Sequence, residues 1–307
     1  MANTIIKAEQ IVSGGLGVLE RMIVLPALIS SDASAYFQGG SPKNDTVSIR
    51  VPGRTTAKDY AWRDHSGTVQ MSDLTEHKIS VTLDTHTYNA IQLTDEELTL
   101  DIRDFTEQVI TPQVRSVAER LEDKIAAKIR GAAYGSNVVN QTGDFYANLV
   151  DVRKLLNDNF VPQSDRVLIV GTNVEKGILL EDQFRKVNEA GSDSALREAT
   201  IGRIAGFNVI VCNSIDEDEA FAFHRSAFQA VYRVPAAPLG GVDSASGSYA
   251  GIALRWLKDY DSAHLVNRSI FDTFFGVNVV TDPDDYTNPA STFSLKRAVK
   301  LAPVAGS

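Results

Sequence analysis

Alternation of apolar and polar residues marks strands in the first third of the chain. Every second residue of 46–51 is apolar, and the same alternation returns at 79–83 and again at 88–93. The intervening stretch, roughly 54–78, is polar, carries charges of both signs and has only scattered apolar residues such as Trp62. Such a stretch cannot form a core by itself. The pattern predicts a two-stranded ribbon that leaves the body, returns, and is stabilised by packing on a neighbour.

The spacing becomes helical after Thr94, whose hydroxyl can cap the acid-rich turn 95–97. Thr111 followed by Pro112 predicts a cap and a fresh helix start or a kink. From Pro112 to Gly131 apolar residues recur every three or four positions, which predicts a helix about 30 Å long. The apolar positions of this helix are Val114, Val117, Leu121, Ile125 and Ile129.

Helices and strands alternate in the middle of the chain, from about residue 144 to 249, which favours an α/β unit. The segment 235–251 consists of small residues and is predicted to be a long loop, like 182–200. The C-terminal tail carries Lys296, Arg297 and Lys300 with no acid nearby in the sequence. The alternating elements are a helix at 147–157, a buried strand at 166–170, a helix at 173–180 and a strand at 207–211.

Length and charge narrow the class of protein. A chain of 307 residues exceeds the size at which one core usually stops growing, so two packed units are expected. The formal charge of −9 is spread along the chain without a stripe of Lys and Arg, which argues against tight binding of nucleic acid. The single cysteine, Cys212, cannot form a disulfide within the chain.

The apolar stretch 11–29 does not have the pattern of a membrane span. Glu20 and Arg21 lie in its middle and Pro26 breaks it, whereas a span needs about 20 nearly uninterrupted apolar residues. We therefore expect a soluble protein, made in the cytosol, whose N-terminal arm packs its apolar surface against another structural element or molecule.

The sequence contains none of the common catalytic or metal-binding patterns. No two histidines stand at the i, i+4 spacing of a zinc site, and there is no phosphate-binding GxxxxGK[ST] or G-x-S-x-G run. The serine-rich stretch 240–247 is expected to be a flexible loop. The acid-rich runs 216–219 and 282–285 are expected to be solvated turns rather than metal sites. The strand before Gly171 resembles half of a nucleotide-binding unit but lacks its three glycines.

One run is more specific: Ile201-Gly202-Arg203-Ile204-Ala205-Gly206-Phe207-Asn208-Val209. It resembles the segment that feeds a strand of the axial domain in coat proteins of tailed double-stranded-DNA bacteriophages. The order of elements along the chain resembles the same family, which has the Hong Kong 97 fold. In this motif the residues of interest are Gly202, Arg203, Gly206 and Phe207.

The resemblance implies an α+β fold in five parts. They are an N-terminal arm (1–45), an extended β-ribbon loop (46–83), a peripheral domain with a long spine helix (84–143), an axial α/β domain (144–250), and a return to the peripheral domain with the C-terminal tail (251–307).

The function that the resemblance implies is that of a major capsid protein, not an enzyme and without cofactor or metal. Many copies would form the pentamers and hexamers of an icosahedral head that encloses DNA without sequence-specific binding. Assembly would take place in the host cytoplasm and the product would be the virion. Expected partners are a portal, a separate scaffolding protein, since the chain has no room for a fused one, and optionally a cement protein; no membrane is involved.

The ribbon would supply contacts between subunits, and it also holds a candidate for covalent linkage. Some family members join subunits through a lysine of this loop and an asparagine of the peripheral domain. By position alone, Lys58 and Asn278 match this pair, and a surface salt bridge of Lys58 is the competing interpretation. The candidate contact residues are Arg54, Lys58, Asp59, Trp62, Arg63 and Asp64.

Two other functions stay open at this point. An encapsulin-like cellular shell would keep the fold and change the cargo. An α/β enzyme would bind a nucleotide at the turn that contains Gly171.

Overall fold

A computed structural model describes residues 24–31, 45–51, 55, 57–60, 62–63, 66–71, 74, 76–101, 105–141, 144–180, 202–238, 242–249, 252–285 and 291–303. Its helices are α1 (Leu25–Leu28), α2 (Thr111–Arg130), α3 (Phe145–Asp158) and α4 (Thr172–Leu180). Two π-helical segments, Glu97–Asp101 and Thr106–Ile110, precede α2, and a 3-10 turn covers Arg225–Ala227. The strands are β1 (Thr46–Val51), β2 (His77–Thr82), β3 (Thr85–Thr94), β4 (Val138–Asn140), β5 (Arg166–Val170), β6 (Arg203–Ile204), β7 (Phe207–Val211), β8 (Ala220–His224), β9 (Phe228–Arg233), β10 (Asp243–Tyr249), β11 (Ile252–Asp261), β12 (Val266–Val279), β13 (Asp282–Pro283), β14 (Phe293–Ser294) and β15 (Ala298–Ala302).

An antiparallel sheet and the long helix α2 form one half of the structure. The strand order is β10-β11-β12-β3, and the far end of β12 also pairs with β9. Helix α2 packs on β12 and β3. Gln113 of α2 is buried and donates a hydrogen bond of 2.8 Å to the carbonyl of Ser269 in β12, whose hydroxyl donates one of 2.7 Å to the Gln113 Oε1. This reciprocal pair fixes the helix against the sheet without leaving a buried amide unpaired.

A mixed sheet forms the other half. Its order is β4-β15-β8-β5-β7-β6, and the pairs β5/β7 and β4/β15 are parallel. All five residues of β5 are buried, because α3 and α4 cover one face while the core under α2 continues across the other. A strand covered on both faces has no need of alternating polarity.

The predicted helical and strand elements are confirmed with small shifts in their ends. Helix α2 buries the five apolar positions that the spacing marked, and its 20 residues give a length of about 30 Å. Thr94 also caps as predicted: its hydroxyl accepts from the Glu97 amide at 3.2 Å, and the Glu97 carboxylate accepts from the Thr94 amide at 2.9 Å.

The assignment of Thr111 as a helix cap was wrong. Its backbone is helical, and its hydroxyl donates to the carbonyl of Thr106 at 3.0 Å. The chain is already helical before Pro112, so this proline does not mark a capped helix start.

Two segments that the sequence assigned to loop or tail are strands. The whole of 235–251, with its serine-rich stretch 240–247, was expected to be loop, but residues 243–249 form β10 and pair along their whole length with β11. Small residues give no periodic signal, and the backbone hydrogen bonds come from a partner strand. In the C-terminal tail, β15 lies inside the mixed sheet between β4 and β8.

Within the described residues, none of the helices is both long and apolar enough to cross a membrane. Cys212 is buried and free. The division into an arm, a ribbon, two domains and a tail stays a prediction.

Candidate functional site

The ribbon consists of β1 and β2, paired from Thr46 opposite Thr82 to Val51 opposite His77. One face of this pair packs on the body. Val47 and Val81 contact Val231 of β9, and farther along Val51 packs beside Val280. The alternating apolar residues therefore face the folded subunit itself, which gives the base of the ribbon the support that an isolated hairpin lacks.

A glycine allows the ribbon to approach the body closely. A Cβ on Gly276 of β12 would lie 2.1 Å from the carbonyl oxygen of Thr82, closer than any side chain permits. Two residues farther on, Asn278 donates a hydrogen bond of 2.8 Å to the carbonyl of Ser80. The ring of His77 stacks on Phe293 with centroids 3.9 Å apart. Sequence reasoning missed this anchor, although an isolated glycine in an apolar strand indicates close backbone approach.

The tip of the ribbon, defined here as the described residues between 55 and 74, is exposed. Its contacts are few: the Tyr60 hydroxyl donates to the Gly67 carbonyl at 3.0 Å, and Lys58 reaches the carbonyl of Met71 at 3.4 Å. Trp62 is 87% exposed and Met71 85%. Burying such side chains stabilises by about 1.5–3 kcal/mol each. The other exposed apolar residues of the tip are Tyr60, Val69 and Leu74.

The predicted contact residues lie on this tip where they are described. Lys58, Asp59, Trp62 and Arg63 have exposed side chains. Arg54 and Asp64 lie outside the described residues. Asn278, the other half of the candidate cross-link, lies at the base of the ribbon, with its amide nitrogen bonded to Ser80 and its oxygen accepting from the Val279 amide at 2.9 Å. The pairing of Lys58 with Asn278 stays a prediction.

The turn after β5 is not shaped for a nucleotide. The Asn173 amide at the start of α4 donates to the carbonyl of Glu217 at 3.0 Å, and the Gly171 amide donates to Glu219 at 2.9 Å. A Cβ on Gly171 would lie 2.2 Å from the carbonyl of Asp216. The chain's own acidic loop thus occupies the place where a phosphate would meet the helix N-terminus.

The same loop corrects a second expectation, since 216–219 is not simply a solvated turn. Glu219 accepts hydrogen bonds from Lys300 at 2.7 Å and from Arg130 at 2.8 Å, and Arg130 also pairs with Asp216. Burial would raise the pKa of the Glu219 carboxyl, but Lys300 and Arg130 outweigh it and hold that pKa below its ordinary value. The loop therefore joins α2 to β15.

Asp282 was also expected in a solvated turn, and this too was wrong. It is buried and accepts two hydrogen bonds of 2.6 Å from the guanidinium of Arg297. In the tail, Arg297 thus pairs with an acid 15 positions earlier in the sequence, and Lys300 with one 81 positions earlier. Among the described residues there is no group of three His, Cys, Asp or Glu side chains that could hold a metal ion.

The glycine motif forms the tight hairpin between β6 and β7. Gly202 and Gly206 have φ values of +61° and +92°, a region that favours glycine, and Ala205 between the strands is also left-handed at +46°. Phe207 is fully buried under α3, whereas Arg203 is exposed and its guanidinium reaches the Gly206 carbonyl at 3.4 Å. The motif therefore fixes a hairpin and presents an arginine beside it.

Comparison with known proteins gives a family. A family model described as phage capsid protein matches residues 78–266. Comparison of the sequence with curated proteins gives no significant match.

Several solved structures share the fold at low sequence identity. A chain from Mycobacterium phage Che8 has a TM-score of 0.63 and 16% identity, over 91% of this chain and 90% of that one. The mature capsid of bacteriophage PhiM1 gives 0.58 and 12%, over 86% and 84%. A virus-like particle from Pyrococcus furiosus gives 0.51 and 11%, over 96% and 98%.

Each of these likenesses covers at least 86% of this chain. The family model spans more than half of the chain. The chain therefore belongs to the phage capsid protein family, and it is a structural protein of the capsid shell with the Hong Kong 97-like fold of tailed phages.

Proposed function

We propose that this protein is a major capsid protein whose copies assemble into pentamers and hexamers and close an icosahedral head around double-stranded DNA. The observation that carries the proposal is an anchored ribbon with an exposed apolar tip. Trp62 and Met71 are almost entirely exposed in the single subunit. The base of the same ribbon is hydrogen-bonded to the body at Ser80, and its Thr82 carbonyl lies close against Gly276.

An adjacent subunit is the natural cover for this tip. Large apolar side chains at the end of a projecting element are unfavourable in water and mark an interaction site. In a closed shell each ribbon would lie across a neighbouring copy, so the same contact repeats around every ring. The charged candidates Lys58, Asp59 and Arg63 lie within four positions of Trp62 in the sequence and would supply the polar rim of the contact.

The charge of the chain suits a container for DNA. With a formal charge of −9 and no basic stripe in the sequence, the inner wall would not hold the packed genome by counterion release. DNA would therefore be enclosed without sequence-specific binding. The proposed partners are a portal, a separate scaffolding protein and optionally a cement protein, with assembly in the host cytoplasm and the virion as product.

Electron microscopy of the overexpressed protein, alone and with its phage's scaffolding protein, tests the proposal. We expect closed icosahedral shells with resolvable five-fold and six-fold capsomers. A sharper variant deletes residues 54–75, which leaves β1 and β2 whole. That deletion should give a folded subunit that does not close shells; normal shells from it would contradict the role of the ribbon.

A cellular compartment shell is the second candidate, since the fold is shared with a virus-like particle from Pyrococcus furiosus as well as with phage capsids. The subunit contacts would be similar and the cargo would differ. Particles purified from the native source distinguish the two: DNA and a portal vertex support the phage head, whereas protein cargo without either supports the compartment.

A further inference from the structure

Four arginines surround two adjoining cavities at the edge of the mixed sheet. A cavity of about 360 Å³ is lined by Arg166, Arg203, Arg225 and Asp165, together with residues of α1. A smaller one, about 100 Å³, is lined by Arg153 and again by Arg166 and Arg203. Arg166 is buried, Arg153 is half-buried, and Arg203 and Arg225 are exposed at the rim.

No carboxylate neutralises these four guanidinium groups within the described part of the chain, where none of them lies within 4.0 Å of an acid. Among the described residues, the acceptors of Arg166 are uncharged oxygens at 2.7–2.8 Å: the carbonyls of Val161 and Pro162 and the side-chain oxygen of Asn157. Burial and the nearby Arg153 lower the pKa of Arg166. A buried cation without a counter-charge is costly, and a bound anion would offset that cost.

Two other partly buried arginines of this protein have acidic partners. Arg297 is bidentate with Asp282, and Arg255 pairs with Asp272. The cavity arginines differ from them in an otherwise acidic protein. Asp165, the acid that lines the larger cavity, leaves a local excess of positive charge.

The glycine hairpin holds two of the arginines in place. Arg153 donates to the carbonyl of Ala205 at 3.1 Å, and Arg203 reaches the carbonyl of Gly206 at 3.4 Å. Both carbonyls belong to the left-handed turn between β6 and β7. The turn therefore positions guanidinium groups from two elements, α3 and β6, around the smaller cavity.

We propose that this arginine cluster binds an oxyanion of the phosphate class. A phosphate dianion offers several acceptor oxygens to several guanidinium forks at once, and arginine suits this bidentate geometry. A single carboxylate has one charge and two oxygens and would satisfy fewer of the four groups. The larger cavity, at about 360 Å³, is large enough for a partly hydrated phosphate. The phosphate could be a free ion or a phosphodiester of enclosed DNA.

The test uses the full-length protein and four variants. Arg203→Gln and Arg225→Gln change rim residues that the core does not need, and their combination removes both. Arg115→Gln is the matched control, because Arg115 is exposed on α2 and pairs with Glu119. Isothermal titration with inorganic phosphate, at ionic strength held constant with chloride, measures affinity. Thermal unfolding with the same solutions checks folding and ligand stabilisation.

We expect each rim substitution to weaken phosphate binding about tenfold, the double variant to abolish it, and the control to match the wild type. Phosphate also stabilises proteins generally by exclusion from their surface. An equal rise in melting temperature for the wild type and the double variant, without heat of binding, would therefore overturn the proposal.

A short DNA duplex, followed by fluorescence anisotropy, separates the two sources. Binding of both phosphate and duplex that is lost in the double variant assigns a phosphodiester, and binding of phosphate alone assigns the free ion. If neither binds but the double variant fails to form shells, the cluster receives a carboxylate of a second copy and the proposal is wrong.

Discussion

The side-chain amide of Asn278 donates a hydrogen bond of 2.8 Å to the backbone carbonyl of Ser80, joining the long body strand β12 to ribbon strand β2. Beside it, Gly276 leaves room for the carbonyl of Thr82 to press against β12. The ribbon thus has two parts with different needs. Its base packs on the body of the same subunit, whereas the apolar side chains of its tip are exposed, and we propose that a neighbouring copy covers them.

The close approach at Gly276 makes Gly276→Ala a severe substitution. Its Cβ would lie 2.1 Å from a backbone oxygen, so β12 and the ribbon base must separate. We expect a loss of about 2 kcal/mol or more in the free energy of unfolding, measured by urea denaturation.

Gly177→Ala is the control, since Gly177 lies in α4 with nothing within 4 Å of its added Cβ. It should stabilise the protein by about 0.5–1 kcal/mol. Equal effects of the two substitutions would show that the ribbon does not depend on the approach at Gly276.

Glu219→Gln should destabilise the subunit by about 1–3 kcal/mol, because it leaves Lys300 and Arg130 without their shared carboxylate. Glu119→Gln removes an exposed pair with Arg115 and should change stability by less than about 0.5 kcal/mol. Thermal and urea unfolding of the two variants at neutral pH gives the comparison, and a similar loss in both would contradict the structural role of Glu219.

The same carboxylate predicts a pH dependence. Its folded-state pKa is lowered below the ordinary value of 4.5, so its contribution is complete above that value and is lost as pH falls through the folded-state pKa. As pH falls from about 5 to the folded-state pKa of Glu219, the wild type should therefore lose more stability than Glu219→Gln. Parallel curves for the two proteins would contradict the lowered pKa.

His224 should make stability depend on pH in a higher range. Burial lowers its pKa below 6.5, and Arg297 and Arg166 add to this while Asp165 opposes it. Below 6.5 the unfolded chain binds the proton more readily, so stability decreases as pH falls from 6.5 to the folded-state pKa. His224→Asn keeps an acceptor for the Ser226 amide. This variant should show a weaker dependence of melting temperature on pH in this window. An unchanged slope would contradict the role of His224.

The predicted cross-link between Lys58 and Asn278 has a direct test. If it forms, denaturing gels of mature particles show covalent multimers, and Lys58→Arg removes them while keeping the charge. Particles that run only as single subunits would contradict it. Asn278 would then be needed only for the hydrogen bond to Ser80.

Much of the secondary structure could be predicted from local sequence patterns. The apolar spacing of α2, the buried run of β5 and the capping by Thr94 are properties of neighbouring residues, and each was predicted from the sequence. Strand β1 of the ribbon was predicted in the same way, because its apolar residues alternate with polar ones and face the body.

What the sequence could not show depends on distant partners. Strand β10 consists of small residues and exists because β11 pairs with it, and β15 was hidden in a tail that inserts between β4 and β8. Asp282 finds Arg297 and Glu219 finds Lys300 only after folding. The arginine cavities are lined by side chains from separate segments, and the sequence marks only one of them, Arg203, through the glycine motif.

The central claim is that assembly depends on the exposed ribbon tip, and shell formation by the double variant Trp62→Ser/Met71→Ser tests it most directly. Phe160→Asn is the matched control: Phe160 is 74% exposed, away from the ribbon, and asparagine tolerates its φ of +58°. Sedimentation and electron microscopy should show shells from the wild type and the control, and folded but unassembled subunits from the double variant. Normal shells from the double variant would contradict the account.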